Sequence, residues 1–135
     1  KRIISSKGIG RKWIPRKQDC ASSIASVFDR KYGTNYVAQI QMIPFDEYSD
    51  FLNANAKNWF ELHEDFTLID DHSTLQPYDV LILDFEDKVE DNSPHLAMYM
   101  GDGMVYQHWL KKLSSIDSID NYPPIQRIYR SNKAQ

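Results

Sequence analysis

Apolar and polar positions change their period once along this chain. From Cys20 to Gly33 the repeat is helical: Cys20, Ile24, Val27 and Phe28 fall at i, i+4, i+7 and i+8, one face of a helix. Asp19 is placed to cap its start and Gly33 to stop it. This puts Cys20 in the first turn, on the buried face. "TNYVAQIQMIP" is ambiguous and ends at Pro44. "FDEYSDFLNANAKNWFELHE" predicts a second helix, with a rough stripe through Phe45, Tyr48, Phe51, Leu52, Trp59 and Phe60. "FTLID" reads as a short strand or a loop leading to one.

Beyond this the texture is that of strands. "LQPYDVLILDFED" predicts a strand with Val80 to Phe85 as its apolar core. "KVEDNSP" is a polar turn, "HLAMYMG" a second strand, and "DG" a tight-turn signal. "MVYQHWL" pairs back as a hairpin, "SSIDSIDNYPP" is expected to be a loop, and "IQRIYR" a last short strand. Helices followed by an antiparallel sheet are the signature of an α+β fold. Residues 1–18 show no period and read as an extended lead-in or docking arm, leaving 19–135 as one domain.

Composition narrows the function classes. A chain of 135 residues is the size of one ordinary domain. With 41% hydrophobic residues it reads as globular. A net charge of -3 argues against a general nucleic-acid binder, and the early basic stretch "KRIISSKGIGRKWIPRK" reads as a solvated flank. The single cysteine excludes an internal disulfide. No apolar run is long enough to span a membrane, and none reads as a signal peptide. The chain begins at Lys1 rather than Met, and a processed product or a piece of a longer polypeptide is expected.

Cys20 is the residue on which a chemical reading turns. A thiol in the first turn of a helix meets the positive end of the dipole and unpaired N–H groups, which favour the thiolate. Arg16 and Lys17 push the same way if they approach it. A nucleophile of this kind needs a base and a third group that orients the base. His63 and His72 read as solvated. His95 opens a strand just after Pro94, and Gln107 and His108 lie on the paired strand, where alternation sends them to opposite faces. No CxxC, HxH or HExxH spacing is present, so no metal or other cofactor is expected.

"DCASSIASVFDRKYG", "LQPYDVLIL" and "SPHLAMYMGDGMVYQHW", in that order, resemble the NlpC-type cell-wall cysteine peptidase family. The following "LKKLSSIDSIDNYPPIQRIYR" is similar to its phage branch, the NlpC-like domain of tail-tip assembly proteins. The resemblance implies a papain-like α+β fold with the nucleophile's helix packed on an antiparallel sheet. It implies Cys20 as nucleophile, the Cys20 backbone N–H as an oxyanion donor, His95 as base, and Gln107 as the orienting third residue, with His108 as the alternative. It further implies hydrolysis of peptidoglycan stem peptides, other tail-tip proteins as partners, and a virion that acts in the host periplasm or cell wall. For a bacterial relative the location would be the cell envelope.

The chain departs from the family pattern at the groove. Tyr78 stands where relatives usually carry Gly, which predicts a different turn conformation there. Ala21 and Ser22 follow the cysteine in place of Ser and Gly. "KWIPRKQ" replaces an aromatic-Gly-Gly stretch, so Trp13, Asp19 and Ser22 are expected in the groove wall. These changes leave open a catalytically silent tail-tip component as a second reading, and an acyltransferase as a third.

Overall fold

The computed structural model describes residues 20–43, 58–83, 95–108 and 114–134, and for Cys20, Asn58, His95 and Ala134 the backbone alone. The predicted lead-in 1–18, most of the predicted helix over 45–64 and the polar turn after Leu83 lie outside these residues. Three helices are described: α1 (Cys20–Tyr32), α2 (Tyr36–Gln41) and α3 (Asn58–Leu62). Six strands follow: β1 (Phe66–Ile69), β2 (Val80–Leu83), β3 (His95–Gly101), β4 (Met104–Gln107), β5 (Ser115–Ser118) and β6 (Ile125–Ser131). They form one sheet in the order β1-β6-β2-β3-β4-β5, and each neighbouring pair is antiparallel. The fold is α+β.

The helix stop at Gly33 is as predicted. Its φ of +67° suits a residue without Cβ, and its N–H donates to the Asp29 carbonyl at 3.0 Å, closing the last turn. The ambiguous stretch after it is helical, because α1 supplies its cap. Asp29 accepts from the backbone N–H of Tyr36 at 2.8 Å and of Val37 at 3.1 Å, and from the Thr34 hydroxyl. Those N–H groups have no partner inside a six-residue helix.

Both sheet faces are apolar. On one, Ala21, Ile24, Ala25 and Phe28 of α1 pack with Val80, Ile82, Leu96, Met98, Tyr106 and Tyr129. On the other, Leu81, Leu83, Ala97, Val105 and Ile128 gather, with Tyr99, Ile119 and Tyr122 against them. The strict alternation along β2 and β3 produces this split. At the helical end, Tyr36, Trp59, Phe66 and His63 form an edge-to-face ring cluster, His63 centred 5.0 Å from Tyr36 and 4.8 Å from Trp59. His63 also bonds Gln39 at 3.1 Å, so it is a packing residue rather than a solvated one. His72 is exposed in a turn, as expected.

One feature corrects the expected strand pattern. "SSIDSIDNYPP" is not all loop: β5 pairs along β4, and a short 3-10 turn at Ile119–Asn121 follows it. The last strand, β6, lies inside the sheet, between β1 and β2. Its Arg130 forks onto the fully buried Asp79 with both bonds at 2.8 Å and reaches the Thr74 carbonyl, tying the loop before β2 to the sheet. Among the described residues no helix is long and apolar enough to cross a membrane.

Candidate active site

Cys20 is the first residue of α1, at the helix N-terminus, where backbone N–H groups are not used within the helix. Trp13 and Asp19 lie outside the described residues. Ser22 has no exposed surface. Ser23, three residues after Cys20 and so on the same helix face, is also buried.

The β3–β4 hairpin turns through Gly101, Asp102 and Gly103, whose φ values are +96°, +54° and +76°. Positive φ at both central residues gives the tight turn expected of the "DG" signal and matches the twist of the strands. The hairpin places Ala97 opposite Gln107, while His95 opens β3 opposite Leu83 of β2. Positions 95, 97 and 107 therefore share one parity of the ladder, and position 108 takes the other.

The two candidates for the third residue are consequently held in different places. His108 is buried under α1, and its Nδ1 is hydrogen-bonded to the Ser23 Oγ at 2.8 Å. Gln107 faces β5. Its Nε2 donates to the Ser115 Oγ at 2.5 Å and to the Asp117 Oδ2 at 3.2 Å. Ser115 donates to the same Asp117 oxygen at 3.0 Å, and the Tyr122 hydroxyl donates to it at 2.7 Å. Burial, then this hydrogen bond and the Asp117 charge, push the Tyr122 phenol well above its ordinary value. Gln107 is only 3% exposed, so its amide NH2 is held in this polar network away from solvent.

Ser23, Ser115, Asp117 and Tyr122 were not among the expected site residues. The "S-x-D" spacing of 115 and 117 puts both on one face of a strand, a signal that becomes visible only once this stretch is read as β5. Ser23 is found from its spacing of three from Cys20.

Tyr78 has φ +76°, so the turn before β2 has the left-handed conformation that suits a glycine, although a bulky side chain there predicted another one. The Tyr78 N–H donates to the Tyr99 carbonyl at 2.8 Å, and its ring lies 6.5 Å from those of Phe28 and Tyr32, with the Lys31 Nζ 4.8 Å from its centre. No family model matches the chain, and no curated protein matches it as a relative.

Proposed function

We propose that this chain is an NlpC-type cysteine amidohydrolase of papain-like fold that cleaves peptidoglycan stem peptides, placed in a phage tail tip that opens the host wall locally. The observation that carries this reading is Cys20 at the start of a helix packed on an antiparallel sheet, with His95 and Gln107 on the hairpin that follows. Positions 95 and 107 share the hairpin face of Ala97, opposite the face α1 covers, and the reading requires His95, at the very start of β3, to turn past that strand end toward Cys20. The chain order, thiol, then base, then orienting amide, is the one this reading requires. Gln107 fits the third role better than His108, because it shares the parity of position 95 and His108 does not.

In the proposed reaction His95 takes the Cys20 proton, and the thiolate attacks an amide carbonyl. The Cys20 N–H, at the helix start, stabilises the oxyanion. His95 then protonates the leaving amine, which departs as the C–N bond breaks and leaves a thioester. Water, deprotonated by His95, attacks the thioester carbonyl. The carboxylate product leaves, and the thiol is restored. The resemblance points to the bond after a D-glutamyl residue, before a diamino acid.

Alkylation of Cys20 by a small haloacetamide across pH tests this. A free thiol reacts as its thiolate, with a midpoint near ~8.5. Rapid labelling well below that, lost in His95→Ala, is expected, together with wall cleavage abolished by Cys20→Ala and reduced more by Gln107→Ala than by His108→Ala. Labelling that waits for unfolding would overturn the enzyme and favour the second reading, a silent structural tail-tip component. Tyr78 in a glycine's place is the observation on that side.

A further inference from the structure

We infer that Asp117 is a positioning residue for Gln107, fixing which end of the Gln107 amide faces β5 and which faces β3. The inference rests on the reading above for its catalytic meaning, and on the hydrogen bonds alone for its structural part. An ionised carboxylate only accepts, so every group that meets it must donate. Gln107 Nε2, the Ser115 hydroxyl and the Tyr122 hydroxyl all turn a donor to one Asp117 oxygen. Because the Ser115 proton goes to Asp117, the Ser115 oxygen is left to accept from Gln107, as it does at 2.5 Å. The chain of bonds has one direction, and the amide cannot flip without opposing the Gln107 carbonyl to the Asp117 carboxylate.

Strand order gives the consequence. β4 lies between β3 and β5. Drawing the NH2 end toward β5 leaves the carbonyl end on the β3 side, where Ala97 is the direct partner and position 95 the diagonal one. A carbonyl there would accept an N–H from an imidazole at position 95 and select one tautomer; an NH2 group there would select the other. Ser115 and Tyr122 support this through Asp117, so the unit that orients the base extends from β4 through β5 to the segment after it.

The test uses the whole chain with 15N-labelled histidine, reading the ring nitrogens of His95. The wild-type chain should show one dominant His95 tautomer. Asp117→Asn keeps the shape but lets an NH2 face Gln107, and should give a mixed tautomer. Cys20 alkylation near pH 6 should then slow about tenfold, the size of one net hydrogen bond. Combining Gln107→Glu with Asp117→Asn reverses the donor and acceptor while keeping an acceptor toward β3, and should restore the single tautomer. That pair also carries the test if the single change unfolds the chain. An unchanged His95 tautomer in folded Asp117→Asn, or a mixed one in the folded pair, would overturn the inference. A His95 that responds beside a Cys20 that labels only as a free thiol would instead overturn the proposed function and leave Asp117 its positioning role.

Discussion

Tyr78 shows how a single residue can hold a backbone shape that its side chain disfavours. Left-handed φ costs a non-glycine residue about 1–2 kcal/mol. Here the ring recovers part of that by packing on Phe28 and Tyr32 beneath the Lys31 ammonium. Aromatic pairs of this kind contribute about 0.5–1.5 kcal/mol beyond burial, and an exposed cation over a ring about 0.5–1 kcal/mol. Tyr78→Ala loses the contacts and keeps the strain, so it should destabilise by about 2 kcal/mol. Tyr78→Gly loses the same contacts but relieves the strain, and should cost about 1 kcal/mol less than the alanine variant. Urea unfolding of both variants measures the difference. Alanine at least as stable as glycine would mean that the φ of this turn carries no cost. The sequence marked Tyr78 as the place of an unusual turn. That the turn would be left-handed was not visible, because the rings that compensate come from α1, some fifty residues earlier in the chain.

At the scale of elements, what could be read from the chain followed from strong periodicity. α1, β2 and the β3–β4 hairpin were legible because Ile24, Val27 and Phe28 mark a helical stripe and "DG" marks a turn. β5 was not legible: "SIDS" is short, half-buried and at the sheet edge, and it is held by pairing with β4 rather than by its own propensity. The site followed the same division. Alternation separated Gln107 from His108 in advance, while the Ser23–His108 bond joins residues 85 apart in sequence and has no local signature. This bond is testable as a junction between α1 and the strand. His108→Ala removes a buried ring and strands the Ser23 hydroxyl, and should cost about 2–3 kcal/mol. Replacing both, with Ser23→Leu and His108→Ala, keeps a similar summed volume without polar atoms and should return to within about 1 kcal/mol of the parent. Denaturant midpoints supply the cycle. A double variant no more stable than His108→Ala would show that the polar pair specifies the helix position in a way apolar packing cannot replace.

Across the whole molecule, two phenol–carboxylate bonds join separate parts of the fold. Tyr36 donates to Asp65, linking α2 to the chain entering β1, and Tyr122 donates to Asp117, linking the 3-10 turn to β5. Burial is the first cause that raises both phenols, followed by the bonds to their carboxylates and those charges. The sign of the pH dependence follows. In the unfolded chain a tyrosine loses its proton near pH ~10, whereas these two keep theirs in the fold. Above that pH the unfolded state binds fewer protons than the folded one, so stability falls as pH rises. The contribution is fully present below about pH 10 and drains away as pH climbs toward the raised folded values. Urea midpoints should therefore decline above pH ~10, and less steeply in a Tyr36→Phe, Tyr122→Phe double variant than in the parent. Lysines titrate in the same range in both proteins, so the difference between the two slopes isolates the phenols. Equal slopes would mean that both hydroxyls ionise as easily in the fold as outside it, and that neither bond holds its part of the molecule.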